Sequence, residues 1–422
     1  MTRTVGTHPA WKHMLVATAQ RPTSRNIAVS THAAWALVFP VHTVGRRRAT
    51  NHKVHCGVQG AGVYRSILVA LPYNSRIARI LVRNTYAFAT AFLMEGGHME
   101  TIRRIRAQLL AAAALSLVAL VMLPTHVQAQ IAKGKSKFLG STIATNPAPS
   151  NFTTFWNQVT PENAGKWGSV EGTHGTFNWA PLDAIYNFSQ QHGFKFKAHN
   201  LIWGAQFPSW ITSLSQAQQL AEIQKWITLY GQRYPNTWAV DVVNEPIHTA
   251  PPFTAALGGN GSTGWDWVVT SFQMARKAFP NAKLLINEFG TENDANARNT
   301  YLHIISILKS RGLIDGVGVQ AHFFNLDNMT AAQMTTALNS YDTAGLPIFI
   351  SELDITGGGT DAGQLSKFQQ LFPVIWTHPS VQGITTWGYI VGQTWHTGTG
   401  LVNSNGTLRP AMTWLEGFVA SH

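Results

Sequence analysis

Two glutamates close apolar runs in this sequence, in settings suited to reactive carboxylates. Glu245 ends Trp238-Ala-Val-Asp-Val-Val-Asn-Glu-Pro246, an apolar stretch interrupted by Asp241 and stopped by a proline that cannot continue strand pairing. Glu352 closes the apolar part of Pro347-Ile-Phe-Ile-Ser-Glu-Leu-Asp-Ile355 in the same way. Such runs read as buried parallel strands, each delivering a carboxylate to its C-terminal end. Two facing carboxyls can split a glycosidic bond: one protonates the departing oxygen while the other sets negative charge against the oxocarbenium-like centre. A separation of about 5–5.5 Å lets the second carboxylate attack directly with retention of configuration, whereas roughly 6.5–9.5 Å admits a water and inverts it.

Strand alternation adds partners. With period two, Glu245 shares a face with Val243 and Asp241, and Glu352 with Ile350 and Asp354. If the glutamates point inward the aspartates follow, and a buried carboxylate requires a partner. His199 and His322 stand near the ends of adjacent candidate strands, so Asp241 is expected to pair with His199, and Asp354 with His322 beside Glu352.

These residues need elements to position them. Strand-like segments at 138–143, 158–162, 194–202, 238–245, 283–289, 316–323, 347–355 and 383–389 alternate with helix-length amphipathic ones. The helices are near 180–192, 214–233, 264–279, 291–311, 330–344, 361–377 and 410–420, the first helix of the series being the least visible. This alternation predicts an α/β fold, a (β/α)8 TIM barrel forming a single catalytic domain at 130–422. A doubly wound open sheet is the alternative, but no Gly-rich phosphate loop follows any strand. Glu162, Asn163, His199, Trp203, Asn244, Glu245, Asn287, Glu288, Gln320, His322, Glu352, Asp354 and Trp387 all fall at strand ends, which in a barrel is one rim. Glu288 is a rival carboxylate, read as structural or peripheral. Trp156, Trp167, Trp203, Trp210, Trp387 and Trp395 are expected in loops or at strand ends, offering indole faces to sugar rings, with Trp226 and Trp376 in the core. No His-x-x-x-His or cysteine pair supports a metal site, and no Gly-x-Ser-x-Gly elbow supports a serine nucleophile.

The formal charge of +12 invites a nucleic-acid reading that its distribution removes. Residues 1–98 hold twelve Lys or Arg and one acid, and residues 99–129 hold three Arg and one acid, leaving residues 130–422 at −1. From Met99 a basic head, an apolar run from Leu109 to Leu123 and Val127-Gln-Ala129 form a secretory signal peptide, expected to be cleaved after Ala129. The run is shorter than the ~20 residues of a membrane span, so no stable membrane insertion is expected after cleavage. A leader cannot act from mid-chain, so residues 1–98 are read as a gene-start error, or else as a disordered basic extension. Any peptide from residues 1–93 in the exported protein overturns the start-site reading. Cys56, the single cysteine, lies in that segment, leaving the barrel without disulfides.

The strand motifs resemble glycoside hydrolase family 10, whose best-known members are endo-1,4-β-xylanases, over about residues 137–422. The most specific pieces are Asp241-Val-Val-Asn-Glu245 and Ser351-Glu-Leu-Asp-Ile355. Glu162-Asn163 with Lys166-Trp167, His199 with Trp203 and Gln206, Gln320-Ala-His322 and Trp387-Gly388 support them. The resemblance implies a secreted or periplasmic, monomeric, retaining xylanase that needs no cofactor or metal and acts on xylan or a related β-glycan. It makes Glu245 the general acid/base and Glu352 the nucleophile. Asn244 and Gln320 would hold the 2-hydroxyl or the nucleophile, and His322 would hydrogen-bond the nucleophile. Glu162, Asn163, Lys166, His199 and Gln206 would line the glycone side, with Trp387 and Trp395 walling the cleavage subsite.

Three departures stand out. Gly204 follows Trp203 where the family has histidine, which is expected to remove a sugar contact and open space. Gly388-Tyr-Ile-Val-Gly-Gln-Thr-Trp395 replaces a charged stretch, and His396 stands where arginine is usual. A retaining β-glycosidase of the same fold acting on another β-glycan or β-glycoside is therefore the alternative, with a non-catalytic glycan-binding barrel further off.

Overall fold

Eight parallel strands close into a barrel in sequential order, β1 to β8, with β1 paired to both β2 and β8. The computed structural model describes residues 130–422; the expected leader at 99–129 and the basic segment at 1–98 lie outside the described residues. The strands are β1 (Phe138–Ile143), β2 (Gln158–Pro161), β3 (Lys195–Ile202), β4 (Ala239–Asn244), β5 (Lys283–Glu288), β6 (Gly316–Val319), β7 (Ile348–Leu353) and β8 (Val381–Thr386). The helices are α1 (Phe152–Phe155), α2 (Trp167–Val170), α3 (Ala180–Gln191), α4 (Gln216–Arg233), α5 (Asp266–Ala278) and α6 (Ala295–Lys309). They continue with α7 (Phe323–Leu326), α8 (Ala331–Asp342), α9 (Asp361–Thr377) and α10 (Pro410–Ser421). The expected (β/α)8 barrel is thus observed. The faint first helix is a single turn, α1, too short to leave a periodic pattern. The sixth strand stops at Val319, because Ala321 takes a left-handed backbone (φ 62°) and the chain turns into α7.

Local sequence explains where helices begin. Ser215 accepts from the Gln218 amide while the Gln218 side chain returns to the Ser215 amide, and Thr330 and Gln333 do the same at α8. Each capping box satisfies two amide groups that the first helical turn leaves open.

Inside the barrel, the end away from the strand termini is plugged by Phe138, Leu285 and Phe349 around Ala239, with Trp238 edge-on to Phe138 at 5.2 Å. The plug fits because two neighbouring strand positions lack side chains. A Cβ on Gly383 would lie 2.3 Å from the Phe138 ring, and one on Gly316 would lie 2.5 Å from the Phe349 ring. Outside the strands, one large apolar cluster joins the barrel to its helices and includes Trp156, Trp226, Phe272, Tyr301 and Leu415.

Register shifts near the C-terminal ends change which residues face inward. In β4, Asp241 pairs with Leu285 but Val243 pairs with Ile286, so one extra residue is accommodated; in β7 an extra residue falls between Ile350 and Leu353. The expected common faces are corrected accordingly. Asp241 and Ser351 turn into the barrel, where they pair with Lys197 and Asn287, whereas Val243 and Ile350 join the outer apolar cluster. The bulges then bring Asn244 and Glu352 inward, a use of bulges common beside active sites.

Candidate active site

The two glutamates meet through a chain of amides. Glu352 Oε1 accepts from Asn287 Nδ2 at 2.6 Å, and the same amide nitrogen reaches Asn244 Oδ1 at 2.7 Å. Asn244 Nδ2 in turn stands 3.2 Å from Glu245 Oε1. Gln320 Nε2 donates to Glu245 Oε1 at 3.1 Å, and Trp203 Nε1 donates to Glu245 Oε2 at 2.8 Å. Glu245 has the left-handed backbone that few residues other than glycine adopt (φ 55°), and its amide is held by Asn287 O at 2.7 Å.

The surroundings of the two carboxyls differ. Glu352 is 3% exposed, and Oε2 lies 3.2 Å from His322 Nε2 while Oε1 lies 3.9 Å from His199 Nδ1. Burial works against its ionisation, but His199, His322 and Lys197 outweigh burial and hold the carboxyl at about 2. His322 responds in the opposite sense: burial disfavours its charge, while Asp354 and Glu352 raise its pKa to about 10. With Nδ1 facing Asp354 Oδ2 at 3.0 Å and Nε2 facing Glu352, both ring nitrogens act as donors. Glu245 is only half-buried and is held by neutral donors.

Both aspartates stand against histidines. Asp241, fully buried, accepts from His199 Nδ1 at 2.9 Å and from Lys197 Nζ at 2.7 Å. Asp354 accepts from His322, from the Phe323 amide at 2.7 Å and from Trp395 Nε1 at 2.6 Å, so one carboxylate fixes both the imidazole beside Glu352 and the indole at the mouth. Lys197 and Asn287 belong to this network without having been assigned a part from sequence. Lys197 lies two residues before His199 on the same strand face, and that spacing is the signal that locates it. Gln320 contacts Glu245 and Asn244, and Asn287 rather than Gln320 or Asn244 makes the amide contact to Glu352.

A second cluster flanks the first. Lys166 Nζ donates to Gln206 Oε1 at 2.7 Å and Asn163 Oδ1 at 3.0 Å, and sits 4.9 Å from the centroid of the Trp203 ring. Asn163 Nδ2 reaches Glu162 Oε1 at 3.3 Å, while Glu162 Oε2 is buried without a hydrogen-bond partner. Burial raises the Glu162 pKa, with Lys166 opposing it, and lowers that of Lys166, with Glu352 and Glu162 opposing it. Trp387 is buried with its ring 5.0 Å from that of His199, whereas Trp395 is 45% exposed. Glu162, Asn163, Lys166 and Gln206 thus form one polar cluster, joined through the Lys166–Trp203 contact to Glu245.

Some expected sugar contacts belong elsewhere. Trp156 is fully buried in the outer core, and Trp167 stacks on Trp226 at 5.8 Å with Nε1 bound to Glu171, so neither offers a face to a ligand. Both follow chain turns that pack back on the barrel. Trp210 is half-buried under His174 at 4.1 Å. Trp226 and Trp376 are core residues. Glu288 is fully buried and accepts from the amides of Ile247 and Phe289 and from His248, bracing the loop that follows Glu245.

Gly204 does not open space. Its amide donates to Thr249 O at 2.9 Å, and a Cβ there would lie 2.2 Å from that oxygen and 2.6 Å from Ala250 O. The volume expected to be vacant is filled by main chain of the loop after β4. Gly204→Ala is expected to cost about 1–3 kcal/mol through overpacking against rigid carbonyls, read as a fall in Tm by calorimetry; an unchanged Tm would contradict the close approach.

The profile described as "Glycosyl hydrolase family 10" matches residues 126–417. "Endo-1,4-beta-xylanase B" of Cellvibrio japonicus is 47% identical over 281 residues, which is 66% of this chain and 45% of that protein. This chain therefore spans less than half the length of that relative. "Endo-1,4-beta-xylanase 3" of Hypocrea jecorina is 30% identical over 272 residues, 62% of this chain and 75% of that one. Among solved structures, the "GH10 from Paenibacillus barcinonensis" superposes with a TM-score of 0.63 at 22% identity, covering 70% of this chain and 98% of that one.

Proposed function

Because the chain belongs to glycosyl hydrolase family 10, we propose that it cleaves xylan internally at β-1,4 bonds, with retention of configuration. The observation that carries this reading is the amide bridge between a carboxylate held ionised, Glu352, and a half-buried carboxyl among neutral donors, Glu245. In the first step Glu352 attacks the anomeric carbon, the glycosidic bond breaks, and Glu245 gives its proton to the departing oxygen. In the second, Glu245 takes a proton from water, the water attacks the same carbon, and the ester bond to Glu352 breaks. Asn287 and His322 hold the Glu352 oxygens, so attack requires no rotation of the carboxylate. Glu162, Asn163, Lys166, His199 and Gln206 bind glycone hydroxyls, and Trp387 and Trp395 flank the reacting sugar. The relatives' names and the filled volume beside Gly204 favour xylan over another β-glycan.

The protein is further read as exported through the leader beginning at Met99 and as acting alone. Among the described residues, no helix is long and apolar enough to cross a membrane. Proton NMR of the protein acting on xylo-oligosaccharides tests the proposal. The β-anomer of the new reducing end is expected first; an α-anomer appearing first, or no reducing sugar from any xylan, would end it.

A further inference from the structure

One buried ammonium in the barrel interior has no part in the steps above. Lys197 stands on β3, 1% exposed, level with Ala239 of the apolar plug and two residues below His199 on the same strand face. Its Nζ reaches up one layer to donate to Asp241 Oδ2 at 2.7 Å, the same oxygen that accepts from His199 Nδ1 at 2.9 Å. Asp241 Oδ1 is buried with no hydrogen-bond partner among the described residues. A buried ion pair with an unmatched acceptor is a poor device for stability, because desolvation of both ions offsets their attraction. Its use is sought in its neighbours.

Glu352, Asp241 and Asp354 meet at this depth, and the basic groups are shared unequally among them. Asp354 faces His322, whose other ring nitrogen lies 3.2 Å from Glu352. Asp241 faces both Lys197 and His199, and His199 Nδ1 stands 3.9 Å from Glu352 Oε1. Without the ammonium, Asp241 would set an uncancelled negative charge behind His199, where it would oppose the charge on Glu352. Burial disfavours that charge, and Lys197 acts with the two histidines against burial. The charge on Glu352 also changes during the proposed reaction. It vanishes when the glycosyl ester forms and returns when the ester breaks, the bonding pair passing to Glu352 as water bonds to the anomeric carbon and yields its proton to Glu245. Compensation is needed most in this second step.

We infer that Lys197 is a positioning residue for the second half of the reaction, neutralising Asp241 so that the barrel interior accepts the carboxylate released from the glycosyl ester. The inference rests on the proposed retaining activity. It leaves the first step nearly untouched, because a less compensated carboxylate attacks at least as readily.

Lys197→Met, which keeps the length and removes the charge, and Lys197→Arg, which keeps the charge, test it in the full chain. The substrate is an aryl β-xylobioside whose good leaving group makes the second step limiting. One unit charge several ångströms away, in surroundings of effective dielectric about 20, predicts a roughly tenfold fall in kcat for Lys197→Met. KM is expected to fall with it, leaving kcat/KM within about twofold of wild type, while the glycosyl-enzyme dominates the intact mass at steady state. Lys197→Arg recovers most of kcat. Where circular dichroism shows the methionine variant unfolded, Lys197→Gln, which still hydrogen-bonds Asp241, takes its place with the same expectations. A fall in kcat/KM with KM raised, unchanged kinetics, or an arginine variant no better than the uncharged ones overturns the inference and leaves the activity standing. A wild-type protein that releases neither phenol from the aryl xylobioside nor reducing sugar from xylan overturns the activity and the inference with it.

Discussion

Glu352→Ala lowers kcat on xylan by at least about 10⁴-fold, a size expected when a covalent nucleophile is lost. In the proposed mechanism Glu352 is the attacking group, and the cluster around it keeps it charged. His322 and His199 lie at 3.2 and 3.9 Å, and the buried ammonium of Lys197, paired with Asp241, adds its positive charge to theirs. Held at about 2, the group is ionised between pH 4 and 6, so an acid limb of activity in that range is not expected to come from Glu352. Truncation leaves a cavity on the face opposite Glu245. With an aryl β-xylobioside carrying a good leaving group, azide entering that cavity restores turnover and gives the α-glycosyl azide, with inversion, because no covalent intermediate intervenes. Circular dichroism of the variant verifies that the barrel is intact. Wild-type rates, or a β-azide product, would remove Glu352 from the role.

Much of this site was legible in the sequence for a physical reason. A buried parallel strand is an apolar run, so a carboxylate closing one is conspicuous, and Glu245 and Glu352 stand out on that basis alone. Burial then requires counter-groups, which is why Asp241 with His199 and Asp354 with His322 follow from alternation and strand adjacency. Alternation nevertheless gave the wrong companions, Val243 and Ile350. A bulge of one residue changes parity and leaves no compositional mark, since either residue at the bulge can be apolar. Gly204 shows a second limit. A missing side chain reads as space in a sequence, but the space belongs to whichever loop folds over it, here the Thr249 and Ala250 carbonyls. Trp156 and Trp167 show a third: an indole in a connecting segment looks available until the segment is seen to pack on the barrel.

Glu245→Ala has an effect that depends on the leaving group, and this dependence separates its role from that of Glu352. On xylan the departing sugar alkoxide needs a proton, so loss of the general acid is expected to cost roughly 10²–10⁴-fold. On an aryl glycoside with an acidic phenol, the departing oxygen needs little help. Glu352 still attacks, and phenol is released in a burst equal to the enzyme concentration. The second step then stalls, because no base activates the water, and the glycosyl-enzyme accumulates as a mass increase that peptide mapping places on Glu352. Azide needs no base: it opens that intermediate from the face vacated by the phenol and yields the β-azide. The two variants thus give azides of opposite configuration from one substrate. The two carboxyls are held by separate sets of donors, Gln320, Asn244 and Trp203 on Glu245 and Asn287 and His322 on Glu352, so removing one is expected to leave the other in place. A uniform rate loss across leaving groups, without a burst, would assign Glu245 to binding and leave the proton donor to be sought elsewhere on the rim.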